Sequence, residues 1–381
     1  MKMKKYVSLL LCIVIAVVSL VGCETAIGQY YYDVYLPNGI GAPVVKTNEV
    51  FDFYIITEFL GEDATEEDIA QHNSDLATIK DNINLHLQDE YNTKLNIIFK
   101  SIDEYEETVK SATSGIVLIN SESLMNDLMQ ESKLVDLTNF LESSEYEYGT
   151  LNVQIASTLL DAAKIDVDGE KKLYCIPNNH IVGSYDYIAV NNSIAAKLQY
   201  GKNDIAKITT VEAAEEFIAV AREHWDALNV EAEFNAAYVL QYFDECSYGY
   251  EGETAPKSDW TYNVRNLPVV TKAEAYSTAY GILSGTTAPE RAMEIIYALN
   301  TDVQFRNLLQ YGVLNNDYEF VNNANAGIDS DAIYVSAKNT MYKMNLLYTG
   351  DVFMAYYNLD SWTEEMALAG KMQNSQSVLS D

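Results

Sequence analysis

Positive charge is scarce in this chain. Its 381 residues hold 24 Lys and Arg against 56 Asp and Glu, a formal net charge of −32. A surplus of that sign argues against nucleic acid and against an anionic membrane surface as electrostatic partners. Histidine is scarcer still. His72, His86, His180 and His224 are scattered with no i, i+4 pair, so no zinc-ligand spacing exists and no metal is expected. Cysteine is limited to Cys12, Cys23, Cys175 and Cys246, too few and too dispersed for a disulfide framework. Cys175 and Cys246 are expected as free thiols. The motifs of nucleophile elbows, zinc proteases and phosphate loops are missing as well, so neither a catalytic residue nor a cofactor is indicated. With 56 acids, paired carboxylates are unavoidable, and their presence does not identify a glycosidase.

Long apolar runs are also missing, with one exception at the start. Lys2, Lys4 and Lys5 precede Val7 to Val21, a nearly wholly apolar stretch that closes on Leu20-Val21-Gly22-Cys23. A basic start, a short apolar core and a small residue before the cut form a secretory signal. The core is shorter than the roughly 20 residues that a bilayer crossing needs. Its ending resembles the lipobox of bacterial lipoproteins, which implies cleavage before Cys23 and lipidation of that residue. Residues 1–22 are then a removed signal and 23–46 a tether, with the protein held by its lipid on the extracellular face of the cell membrane. Removal takes three lysines and no acid, moving the charge from −32 to −35. The remaining length allows two domains of about 150 residues each. The 48% hydrophobic content, with 29 Tyr, supplies large cores.

Periodicity then organises the chain. Val50 to Ile56, Leu95 to Phe99 and Ile116 to Ile119 are β-branched and aromatic runs that predict strands. Leu76, Ile79, Ile83, Leu87 and Tyr91 form one helical face between the first two, and Asp103 to Thr113 a helix before the third. Strand and helix alternating at this spacing predict a parallel sheet covered by helices, an α/β class. Helices are predicted for 122–131 and 150–164, a turn at Asp168-Gly169, and a strand for 185–190. Thr209 with Glu212, and Thr287 with Glu290, are read as capping boxes, the second with Pro289 in its first turn. The Gly-, Tyr- and acid-rich stretch 247–266 reads as loop, 267–270 and 279–283 as strands, 302–311 as a helix stopped by Gly312, and 338–348 as the last helix.

These residues resemble a known family. Tyr174-Cys175-Ile176-Pro177-Asn178-Asn179 followed by a Tyr-rich strand and Asn191 resembles the point where bacterial extracellular solute-binding proteins pass from first to second lobe. Gly281 to Ser284, Pro289 to Glu294 and Leu299 to Asp302 resemble the return crossing and its helix. Phe305 to Gly312, Tyr318, Thr349-Gly350-Asp351, Trp362 and Gln373-Asn374 look like the carbohydrate-type lipoprotein branch. The resemblance covers roughly residues 50 to 381. It implies a two-lobe periplasmic-binding-protein-like fold with a hinge and an interlobe cleft. Lobe 1 is expected at 47–183 and 282–314, lobe 2 at 184–281 and 315–381, the latter shorter than the family's usual second lobe.

Candidate ligand contacts follow from placement. Glu58 follows the first strand, and Asn120 and Ser121 the third, at the carboxyl edge where α/β sheets bind ligands. Asn120 could equally cap the next helix. Tyr185 and Tyr187 alternate at the crossing, with one face for core and the other for the cleft. Trp260, Tyr262 and Trp362 lie in polar, loop-like contexts where aromatics can stack on sugar rings, or equally pack as half-buried structural residues. Trp225 closes an amphipathic helix and is read as core. The reading is a solute-binding lipoprotein, expected as a monomer, that captures a sugar or oligosaccharide without chemistry for the permease subunits of an ABC importer. The alternatives are a peptide-binding protein of the same fold, a surface glycoside hydrolase, and an adhesive or sensory surface protein.

Overall fold

A computed structural model describes residues 48–57, 64–250, 259–322, 332–338 and 342–380. The signal, Cys23, the tether and Glu58 lie outside the described residues. The first three predicted strands and their helices alternate: β1 (Glu49–Ile56), α1 (Glu66–Tyr91), β2 (Thr93–Lys100), α2 (Ile102–Ser111), β3 (Ile116–Ile119) and α3 (Glu122–Gln130). β1 runs parallel to both neighbours, with Phe53 opposite Ile97 on one side and Ile116 on the other. α1 starts because Thr65 and Asp68 satisfy each other's backbone N–H groups. It buries the stripe Leu76, Ile79, Ile83 and Leu87 against the sheet. Each such side chain is worth about 1.5–3 kcal/mol on burial.

Next come the hairpin β4 (Ile165–Val167) and β5 (Glu170–Lys172), then β6 (Cys175–Pro177). The chain crosses to β7 (Tyr185–Asn191), α4 (Val211–His224), β8 (Leu240–Cys246) and β9 (Trp260–Asn266), and returns through β10 (Val269–Val270) to β11 (Ala279–Ile282). β11 inserts antiparallel between β3 and β6, so the first sheet reads β2-β1-β3-β11-β6 and the second β8-β7-β9. α5 (Pro289–Thr301) and α6 (Val303–Tyr311) add Met293, Ile296, Leu299, Phe305 and Leu309 to the first sheet's core. A separate core under the second sheet gathers Ile188, Val190, Phe217, Trp225 and Leu240. β12 (Tyr318–Phe320) pairs with β13 (Val335–Ala337). α7 (Glu364–Gln376) and β14 (Val378–Leu379) follow, β14 lying parallel to β10. The architecture is two α/β lobes with two covalent crossings between them.

Several local expectations are corrected. Residues 247–266 are not all loop, because Trp260–Asn266 is strand β9, paired along β7. Thr210, not Thr209, caps α4, its Oγ1 accepting from Ala213 N. α5 has no capping box, since its cap position is Ala288 at φ 55°, although Pro289 does open the helix. The helix expected over 150–164 breaks into Leu151–Gln154 and Ser157–Ala163. The helix expected over 338–348 is absent from its described part, where 342–345 carry no regular structure and Leu346–Tyr348 is a single 3-10 turn. The reason lies in where its carbonyls go. Lys343 O accepts from Thr57, Met344 O from Gln310, Leu347 O from Asn178 and Tyr348 O from Tyr280. Four carbonyls held by lobe 1 side chains leave this segment as a strap with no continuous helix.

Candidate functional site

Register places the aromatic side chains of lobe 2. Along β7, Ile188 and Val190 face the helices, as do their neighbours Leu240 and Asn263. Alternation therefore turns Tyr185, Tyr187, Phe243, Trp260 and Tyr262 to the opposite face. The rings of Tyr185, Tyr187, Phe243 and Tyr262 form a continuous row through Tyr250 of the loop after β8, and Trp260 lies on the same sheet face. Tyr185 stacks on Tyr187 at 5.6 Å between centroids, Tyr187 on Tyr250 at 6.4 Å, and Phe243 meets both Tyr250 at 5.4 Å and Tyr262 at 5.8 Å. Tyr185 and Tyr187 are buried, at 1% and 5% exposure, whereas Phe243, Tyr250, Trp260 and Tyr262 are half-buried. Burial pushes the Tyr187 phenol up to about 12, so it remains a neutral hydroxyl. Four of the residues singled out from sequence thus share one sheet face, and two of them, Trp260 and Tyr262, are only half-buried. Phe243 and Tyr250 were missed. The pairing of β8 with β7, visible as Leu240 and Tyr242 alternating with Gln241 and Phe243, carries the signal for Phe243.

On lobe 1, the carboxyl edge aligns Thr57, Asn120, Thr278 and Asn178, the positions next to the ends of β1, β3, β11 and β6. Asn178 is wholly buried under the strap, its Nδ2 donating to Leu347 O. Asn120 is half-buried, and its Oδ1 is shielded from solvent with no hydrogen-bond partner. A buried acceptor left open costs about 1–3 kcal/mol, which an incoming donor would recover. Asn120 does not cap α3. Ser121 does, its Oγ accepting from Leu124 N at 3.1 Å, so its hydroxyl is already engaged. Trp362 is corrected as a stacking platform. It is 4% exposed and packed on Phe353 within a small core of Val352, Ala355 and Ala367. Trp225 is core as expected, its Nε1 donating to Ala232 O.

The crossings meet the C-terminal helix between the lobes. Gly183, at φ 57°, lies so close to the return crossing that a Cβ would stand 2.8 Å from Val269 N. Asn179 binds the Asp351 carboxylate at 3.1 Å and Gln154 O at 2.9 Å. Burial pushes the Asp351 carboxyl up to about 6 despite those bonds. The nearby imidazole of His180 is also buried, which lowers its basicity, and its Nδ1 lies 2.8 Å from Asn178 O. Two concavities elsewhere contain none of the aromatic row. One of 860 Å³ is bounded by Arg222, Trp225, Asn229 and Phe234, and one of 570 Å³ by Gln154, Asn179, Asp351 and Lys371. The aromatic face is the better candidate, because it gathers Tyr185, Tyr187, Trp260 and Tyr262 on one side of one sheet. Among the described residues, no group of three or more His, Cys, Asp or Glu could hold a metal ion.

This architecture, two α/β lobes joined by two crossings, is a fold shared with solved structures of solute-binding proteins. The N-glycan transport solute binding protein NgtS of Streptococcus pneumoniae, in complex with Man1GlcNAc, matches at TM-score 0.51 and 14% identity over 87% of this chain and 84% of that one. A second NgtS structure matches at 0.51 and 15% over the same shares. The Man5GlcNAc complex matches at 0.50 and 14%, over 86% and 83%. The likeness is one of fold. No protein-family model and no curated protein matches the sequence.

Proposed function

We propose that the protein captures a sugar or oligosaccharide between its lobes and presents it to the permease of an ABC importer, without chemistry. The observation that carries this reading is the aromatic face of the second sheet, where Phe243 and Tyr262 with Tyr250 form a row of half-buried rings and half-buried Trp260 lies on the same face, turned away from the sheet's helices. Pyranose rings offer flat C–H faces to such rings. At the carboxyl edge of the first sheet, the open acceptor of Asn120 suits a hydroxyl donor. The fold shared with proteins named for N-glycan transport favours carbohydrate over peptide. Binding of ligand to both lobes would shift the population toward a closed form that a permease can distinguish.

The test is titration calorimetry against Man1GlcNAc, Man5GlcNAc, maltotriose, xylotriose and a tripeptide set, with Trp260→Ala alongside. A sugar should bind, and Trp260→Ala should weaken it about tenfold, since 1.4 kcal/mol is one decade. Binding of peptides alone, or equal affinity in the variant, would reject this site. Release of new reducing ends from the oligosaccharides would replace capture with hydrolysis. The membrane anchor is part of the proposal and rests on the Leu20-Val21-Gly22-Cys23 ending. Cys23→Ser should move the protein out of the membrane fraction or leave it unprocessed, whereas unchanged retention and mass would remove the anchor.

A further inference from the structure

Three side-chain amides near the end of α7 are spent on the crossing. Asn374 Oδ1 accepts from Val182 N at 3.0 Å and its Nδ2 donates to His180 O at 2.7 Å. Gln376 Oε1 accepts from the Tyr185 hydroxyl at 3.0 Å. Gln373 is 2% exposed and does more. Its Nε2 donates to Val182 O at 3.0 Å and to Gly183 O at 2.7 Å, while its Oε1 accepts from Tyr248 N at 3.0 Å. Tyr248 belongs to the loop whose next aromatic, Tyr250, caps the aromatic row, and its own ring lies 6.0 Å from Tyr185. One amide therefore joins the hinge backbone to the loop over the candidate ligand face. Just beyond it, β14 lies on the return crossing, Val378 N donating to Pro268 O at 2.8 Å.

We infer that Gln373 is a positioning residue that couples occupancy of the aromatic face to the crossing, so that ligand-driven movement of the 247–250 loop is transmitted to the hinge. The inference rests on the capture reading above, but its contacts stand without ligand. A two-armed amide can transmit displacement because a shift of Tyr248 must stretch one arm or carry the other with it. Losing the crossing arm leaves the buried Val182 carbonyl to be satisfied elsewhere, and losing the loop arm frees the partly buried Tyr248 amide, so each biases the hinge. Asn374 holds the crossing alone and has no bond to the loop, so it fixes the hinge without reading the site.

Two variants of the full chain separate the arms. Gln373→Ala removes both. Gln373→Glu keeps an acceptor for Tyr248 but loses the donors to Val182 and Gly183. In ligand-free protein, hydrogen exchange of the Tyr248 amide should accelerate at least tenfold in Gln373→Ala and stay near wild type in Gln373→Glu. For the tightest sugar of the panel, both variants should dissociate about fivefold to tenfold faster at nearly unchanged association rate, since closure is felt in the off-rate. A lower melting temperature with unchanged dissociation would make Gln373 merely structural and overturn the inference, as would a Gln373→Glu variant that releases ligand like wild type. Should neither variant fold, exchange on wild type decides. Saturating sugar must protect segments 180–184 and 246–250 together, and protection of one without the other refutes coupling. If no sugar binds wild type, the capture reading falls, while the Tyr248 amide still reports whether the clamp exists.

Discussion

Asp351 gives the sharpest quantitative test of how the C-terminal segment is seated. Its carboxylate is 6% exposed, accepts from Phe353 N at 2.8 Å and from Asn179 Nδ2 at 3.1 Å, and is pushed up to about 6 chiefly by burial. The ordinary value is 3.8. The folded state therefore binds more protons than the unfolded state between those two values, and stability falls as pH rises through that window. A shift of about two units corresponds to about 3 kcal/mol between pH 3.8 and pH 6, and no more above it. The net charge of −32 pushes stability the same way, because acid relieves self-repulsion, so the wild-type curve alone is not diagnostic. Asp351→Asn isolates the group. The variant pays a roughly constant cost of about 1–2 kcal/mol at every pH, because the new amide presents a donor where an acceptor stood. Against that offset, the wild type should lose about 3 kcal/mol relative to the variant from pH 3.8 to pH 7. Urea unfolding across this range measures both curves. Parallel curves would show that the carboxylate ionises freely in the fold and would refute the burial argument.

Two further outcomes are expected. Gly350 sits at φ 101°, and a Cβ there would stand 1.9 Å from Leu299 O, so Gly350→Ala should cost about 3 kcal/mol or more and undock the strap end from α5, read as a lower melting temperature. His86 hydrogen-bonds Asp302 at 2.7 Å, and that bond raises the imidazole above its usual value. Its stabilisation is full below pH 6.5 and lost as pH rises through the raised value, so His86→Gln should flatten that alkaline loss in a pH series of unfolding curves.

The parts legible in sequence are those where burial dictates residue type. β1, β2 and β3 are apolar on both sides, or alternate cleanly, because helices cover the sheet, and α1 carries a stripe of large residues at helical spacing. α7 escaped notice because it has no such stripe. It buries Ala367, Gly370 and Gln373 while exposing Met366, Leu368 and Met372, the reverse of an amphipathic surface helix. Gly370 is forced by Ile181, whose side chain would lie 2.4 Å from a Cβ. β9 was hidden by the polar, Gly-rich stretch before it and by an open face that keeps aromatics half-exposed. The strap read as a helix because local pattern cannot register Thr57, Gln310, Asn178 and Tyr280 competing for its carbonyls. At the site, Tyr185, Tyr187, Trp260 and Tyr262 could be named, but the face uniting them depends on β7 pairing on both edges. Trp362 was misplaced because a polar neighbourhood in sequence does not reveal a small core formed with Phe353.

The order of strands in the first sheet also bears on how the chain reaches its folded state. β11, which begins at Ala279, lies between β3 and β6, and the strap at 343–348 crosses the same sheet after another sixty or so residues. The second sheet, by contrast, is closed entirely within Tyr185–Asn266. During vectorial emergence of the polypeptide, the N-terminal portion must therefore wait with an unfilled sheet while the later-made lobe can already pair its strands. Long-range pairing of this kind is slow and leaves strand edges unprotected. A chain ordered so folds most safely after it is complete, with its middle ahead of its beginning.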